Sequence, residues 1–173
     1  VVATPGDPLE AREITHLSSM YEGPMYIRLG KAGEKQVHEE ESISLKIGDI
    51  CPVFVNDNNK TAVLACGNIL DAAKEVIIEK KLPYNLYSVP FVKPINKEQL
   101  VRIVEMHQDG LITMEEHQRS CGMGSAVIEV INDMYAEGEI QNYPMIHRIA
   151  IPDEFADVVG TQKYLREYEG LTL

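Results

Sequence analysis

Thr61-Ala62-Val63-Leu64-Ala65-Cys66-Gly67-Asn68-Ile69-Leu70-Asp71-Ala72-Ala73-Lys74-Glu75-Val76 is the stretch that decides the fold. Its first six residues form an almost unbroken apolar run, the pattern of a strand buried on both faces. Gly67 ends the run. Leu70, Ala73 and Ile77 then share one stripe while Lys74 and Glu79 fall off it, which is helical spacing. A strand with no solvent face needs a helix layer on each side.

The same rhythm continues towards the C-terminus. Pro83 precedes a strand at 85–89, and 94–107 reads as a helix with Leu100, Ile103, Val104 and His107 at i, i+3, i+4, i+7. Residues 110–115 form a second two-sided strand. After Cys121, Met123, Ala126, Val127, Val130, Ile131 and Met134 fit one core stripe, with Glu129, Asp133 and Glu137 facing water and Gly138 closing the helix. A strand at 145–151 and a short helix at 161–168 complete the run. Towards the N-terminus, 50–55 reads as a strand, and Asn56, Asp57, Asn58 and Asn59 supply turn chemistry suited to a hairpin. The expected class is α/β: a three-layer αβα open, mainly parallel sheet.

The first 48 residues differ. Residues 1–4 read as the end of a strand. Asp7 is a candidate helix N-cap, Pro8 suits the first helical position, and Glu10 suits the positive end of the helix dipole. The helix runs to about residue 21, before Gly23-Pro24, and 25–29 is a short strand. That βαβ piece is too small to fold alone. Residues 31–48 are polar and carry Glu39-Glu40-Glu41; they read as a solvated linker rather than a cation site. The boundary is set here, giving segments 1–40 and 41–173.

Composition narrows the function classes. The 173 residues carry 27 acidic and 16 basic side chains, a formal net charge of −11. Such an excess of acid argues against a sequence-blind nucleic-acid binder, and no apolar run approaches the roughly 20 residues of a membrane span. No signal-peptide pattern opens the sequence, and Val1 in place of Met suggests a start inside something longer. Cys51, Cys66 and Cys121 are widely spaced and odd in number, and the five histidines form no HxH or HxxxH pair. Neither a zinc site nor a disulfide framework is indicated, and free thiols fit a cytoplasmic setting.

Candidate chemistry is sparse. Cys121-Gly122-Met123-Gly124-Ser125 opens a helix, where backbone amides could take an anion. It matches neither GxGxxG nor a P-loop, so close packing of the helix start is the favoured reading. Glu115-Glu116-His117 lies where a strand ends, the usual place for sites in open α/β sheets. Adjacent residues of an extended segment point to opposite faces, so the two acids do not converge. Arg28 and Lys31 flank Gly30, two cations near a flexible loop; a phosphate contact would need at least this, but by spacing alone they read as solvated strand-end charges. Local chemistry alone shows no catalytic constellation.

Taken in order, several segments resemble the C-terminal third of the transketolase family of thiamine-diphosphate enzymes. Pro5 to Ala11 is similar to that family's P-x-D-x-x-E stretch, and Gly23 to Leu29 to its GP-x-Y-I/L-R strand, the last of the pyrimidine-binding domain. Gly67 to Val76 resembles the start of the C-terminal domain, and Val89 to Ile95 the KP-hydrophobic turn. Glu115-Glu116-His117 with Gly122 to Val127 is similar to the EEH…GG-x-GSAV segment shared with 1-deoxyxylulose-5-phosphate synthases, and Phe155 and Gly160 fit near the end.

The resemblance implies that 1–40 is the end of the pyrimidine-binding domain plus a linker, and 41–173 the transketolase C-terminal domain. It implies an intact homo-oligomeric enzyme that transfers a two-carbon ketol unit between sugar phosphates, with thiamine diphosphate and Mg2+ held by parts not in this sequence. This chain alone is then inactive, needs the N-terminal transketolase section as partner, and serves assembly. The family's arginine for the sugar phosphate falls on Lys31, with Arg28 as the alternative; a lysine offers a point charge without the bidentate fork. Cys121 replaces the first glycine of the GG pair, and 50–61 is longer than the pattern, adding a hairpin. Rival readings are a 1-deoxyxylulose-5-phosphate synthase, a 2-oxoacid dehydrogenase β-subunit, or a stand-alone anion-binding module.

Overall fold

The computed structural model describes residues 1–31 and 33–173. It begins with β1 (Val2–Ala3), α1 (Pro8–Met20) and β2 (Tyr26–Ile27), followed by β3 (Cys51–Phe54), β4 (Thr61–Cys66), α2 (Ile69–Glu79) and β5 (Tyr84–Ser88). The second half carries β6 (Phe91–Lys93), α3 (Lys97–Met106), β7 (Gly110–Gln118), α4 (Met123–Ala136), β8 (Ile146–Ile151) and α5 (Gln162–Tyr168).

The main sheet has five strands in the order β3-β5-β4-β7-β8. β4, β5, β7 and β8 are parallel, and β3 is an antiparallel edge on β5. β4 sits in the centre, as its two-sided apolar run requires. Ala62, Leu64 and Cys66 face a core shared with Leu100, Ile103 and Val104 of α3 and Val127, Ile131 and Met134 of α4. Val63 and Ala65 face the opposite core with Ile69, Leu70, Ala73 and Ile77 of α2. The three-layer αβα arrangement follows from that alternation.

Several boundaries differ from the sequence pattern for identifiable reasons. α3 starts at Lys97 and not near Pro94, because the Asn96 side chain accepts from the Gln99 amide and caps it there. β7 extends to Gln118, three residues beyond the expected strand end. The Asn56 turn closes with the Asn59 amide on the Asn56 carbonyl at 3.0 Å, but the strands on either side are not a hairpin. β5 lies between β3 and β4, so the expected hairpin of 50–61 is corrected to a turn leading from an edge strand into the sheet centre. Asn85 explains the rearrangement: its side-chain oxygen accepts from the Asn56 amide and the Asn59 side chain, holding the turn against β5.

β6 is a strand where the sequence pattern reads as a turn. It pairs antiparallel with β1, and β1 pairs parallel with β2, giving a three-stranded sheet of order β2-β1-β6. The Thr4 amide continues this ladder onto the Pro90 carbonyl at 2.8 Å. Beneath it Ala3, Ile14 and Phe91 pack with Leu45 and Cys51. The N-terminal βαβ piece is thus fastened to the rest of the chain by backbone pairing and an apolar cluster. No helix among the described residues is long and apolar enough to cross a membrane.

Candidate functional site

β7 organises the C-terminal edge of the main sheet. Its pleat sends Thr113 and Glu115 towards α4 and Glu116 towards α2 and α5, so the adjacent acids diverge as their spacing requires. The Glu115 carboxylate accepts the Met123 amide at 2.6 Å and the Gly124 amide at 2.8 Å. The first amides of α4 are therefore occupied by the chain's own carboxylate. A Cβ on Gly124 would lie 2.6 Å from Thr113 Oγ1, and one on Gly122 would run into the Glu115 carboxylate. Close packing, and not an external anion, accounts for this glycine pair. This agrees with the close-packing reading of Gly122 to Ser125 over the alternative of an anion site, and this helix start does not fit the diphosphate of a thiamine cofactor. Burial raises the Glu115 pKa, and the two amides offset part of that rise.

On the other face, Glu116 joins three elements. Its carboxylate accepts from Arg166 Nε and from Gln162 Nε2 at 3.1 Å, both on α5. Arg166 Nη2 continues to the Asn68 carbonyl at the start of α2, at 3.1 Å. The Glu116 carbonyl accepts from Arg28 Nη1 at 3.0 Å. Asn68 Nδ2 donates to Glu34 at 3.1 Å, which ties down the loop after β2 that carries Lys31. A cavity of about 170 Å³ lies among Arg28, Gly30, Asn68, Glu116 and Gln162. A neighbouring one of about 240 Å³ is lined by Gly6, Gly30, Lys31 and Asn68. Arg28 lines the first cavity and Lys31 the second, and the two cavities share Gly30 and Asn68.

The polar linker is more tightly held than its composition suggested. Glu39, Glu40 and Glu41 are exposed, as expected of a solvated run, but Val37 and His38 are buried. Asp7 caps α1 by accepting the Glu10 amide at 2.9 Å, and its second oxygen accepts the Val37 and His38 amides at 3.0 and 3.1 Å. Glu10 accepts the Gly6 amide at 2.6 Å and meets His38 Nε2 at 2.8 Å. The ligating atoms of Asp7, Glu10 and His38 lie within 4.8 Å of one another, and each already has a protein partner. Neither the spacing of His38 nor its polar surroundings signalled this cluster.

The remaining candidates are quiet. Burial pushes the Cys51 and Cys66 thiols far up, which makes them poor nucleophiles. Cys121 is exposed, and its amide donates to Ser125 Oγ at 3.1 Å. His107 is buried, with Nδ1 on the Ile103 carbonyl and Nε2 on the Asn85 side chain, and burial holds its pKa down. It is a satisfied core histidine, and its carbonyl accepts the Gly110 amide at the start of β7, at 3.1 Å.

Comparison with known proteins places this geometry. Residues 53–167 match the family model described as "Transketolase, C-terminal domain". The chain is 31% identical over 172 residues to a 1-deoxy-D-xylulose-5-phosphate synthase of Cellvibrio japonicus, covering 99% of this chain and 25% of that protein. It is 29% identical over 168 residues to the enzyme of that name from Xanthomonas euvesicatoria pv. vesicatoria, covering 96% of this chain and 25% of the relative. Among solved structures it resembles "Split gene transketolase, inactive beta4 tetramer" with a TM-score of 0.79 and 26% identity, over 99% of this chain and 52% of that one. The chain therefore spans about a quarter of the length of these synthases and about half of that transketolase chain. A two-sided parallel sheet, a helix start filled by a strand-end glutamate and a family match across both make this chain a member of the transketolase C-terminal domain family.

Proposed function

We propose that this chain is the C-terminal section of a transketolase-like transferase and serves its assembly, with no turnover of its own. The carrying observation is the β2-β1-β6 sheet, in which a strand of the C-terminal domain pairs with the first residues of the chain. In this reading 1–40 is the end of a pyrimidine-binding domain with its linker, and 41–173 is the C-terminal domain. Met20, Tyr26 and Leu29 are exposed on the α1–β2 segment, apolar surface suited to the N-terminal section that completes the domain. Lys31 is the contact for a sugar phosphate, with Arg28 beside it; neither has a carboxylate within ion-pair distance among the described residues. Thiamine diphosphate and Mg2+ belong to the N-terminal section, in a cytoplasmic homo-oligomer.

The intact enzyme transfers a two-carbon ketol unit between sugar phosphates. A second reading, a 1-deoxyxylulose-5-phosphate synthase, is favoured by the names of the relatives that span nearly the whole chain. An assay of the assembled enzyme separates them. Ketol transfer from a ketose phosphate to an aldose phosphate, without pyruvate, supports the first; thiamine-dependent decarboxylation of pyruvate in the presence of an aldose phosphate overturns it for the second. The isolated chain is expected to do neither.

A further inference from the structure

The Glu116 cluster contains a charge arrangement that bears on substrate affinity. Among the described residues, Glu116 hydrogen-bonds Arg28 through its backbone carbonyl and not through its carboxylate. Its side chain is turned to α5, where Arg166 and Gln162 take both oxygens. The Glu116 and Arg166 side chains are each 18% exposed, so little solvent competes for the pair. A carbonyl orients a guanidinium without cancelling its charge, whereas a carboxylate would do both. Arg28 is therefore held in place while its positive charge stays without an ion-pair partner among the described residues, in a cavity next to the one that Lys31 lines.

We propose that Arg166 and Gln162 are positioning residues for phosphate recognition, holding the Glu116 carboxylate away from Arg28 so that Arg28 and Lys31 remain free for the substrate's phosphate. This rests on the reading of Lys31 and Arg28 as the phosphate contacts. The C-terminal helix α5 thereby sets the charge of a loop more than a hundred residues upstream. Loss of Arg166 leaves Glu116 with a partly buried, unpaired charge, and Arg28 is the cation within reach. The resulting ion pair would quench the anion contact without removing any residue that touches substrate.

The test uses the whole enzyme that contains this section, assayed with a phosphorylated aldose acceptor and its unphosphorylated counterpart. Arg166→Met is expected to raise KM for the phosphorylated acceptor about tenfold, the cost of one charge-assisted contact. The unphosphorylated KM should change by no more than about twofold, the effect falling on KM rather than kcat. The double variant Arg166→Met/Glu116→Gln removes the competing carboxylate and is expected to recover most of the lost affinity. An equal rise for both acceptors, or a double variant no better than the single, overturns the proposal and leaves the cluster a purely structural dock for α5. Arg28→Met and Lys31→Met test the underlying reading separately. If they leave the preference for the phosphorylated acceptor intact, the site assignment fails; if they abolish it while Arg166→Met does not, only the positioning role fails.

Discussion

Single residues here act by satisfying buried groups, and their removal should be felt accordingly. Glu115 is the partner of the Met123 and Gly124 amides. Glu115→Ala strands both in a buried site and is expected to cost about 1–3 kcal/mol in denaturant unfolding. The two buried histidines give opposite pH signatures. Burial opposes the charged form of His38, but the Glu10 hydrogen bond and the charges of Glu10, Asp7 and Glu40 more than offset it, so its pKa is raised from 6.5. Its stabilisation is fully present below about pH 6.5 and is lost as the pH climbs through the raised value. Burial, with a smaller contribution from Lys60, lowers the pKa of His107, only partly offset by the Ile103 carbonyl. That contribution is present above about pH 6.5 and is lost as the pH falls through the lowered value. Unfolding of His38→Gln and His107→Gln at pH values on either side of about 6.5 should show the first variant's deficit largest in acid and the second's largest in base. Parallel profiles would mean that the two rings do not differ in protonation. The separation of Glu115 from Glu116 was legible in the sequence, because strand parity alone dictates it. His38 was not, because its partners lie 28 and 31 residues away and nothing local marks them.

At the scale of elements, α4 shows how a periodic stripe and a glycine pair combine. Val127, Ile131 and Met134 are fully buried against the sheet, and Ile131→Ala is expected to cost about 2–5 kcal/mol by the cavity it leaves. Gly124 lets the first turn approach β7 closely, since a Cβ there would stand 2.6 Å from Thr113 Oγ1. Gly124→Ala should cost about 1–3 kcal/mol as the helix start is pushed off the strand. A thermal melt indistinguishable from that of the parent chain would show that the contact relaxes freely. The stripe was readable from its 3.6-residue period; of the caps, Thr161 lies where the sequence pattern starts α5, but Asn96 starts α3 three residues later than the pattern does. Each ends the preceding extended segment by accepting an amide three residues on, at Gln99 and Tyr164, which fixes the start within a residue. β6 went unread because three residues make no period, and its identity as a strand depends on β1 lying beside it.

For the molecule as a whole, the question is how the N-terminal piece is held. Phe91 lies in the apolar cluster with Ala3, Ile14, Leu45 and Cys51, at the point where β6 meets β1. Phe91→Ala should release the first 48 residues to limited proteolysis while the segment matched as the C-terminal domain, 53–167, stays resistant. Uniform digestion would instead show that the two parts unfold as one unit. By itself the sequence determined the α/β class, the central two-sided strand, and the divergence of Glu115 and Glu116. All of these rest on local periodicity, which fixes which face of an element is apolar. Only the tertiary structure decided that β5 separates β3 from β4, that β6 joins the N-terminal sheet, that Asp7 and Glu10 fasten the linker through His38, and that α5 reaches Glu116. Each of these depends on which distant groups satisfy a backbone edge or a buried charge. That choice follows from the closure of the whole core and leaves no repeating mark along the chain.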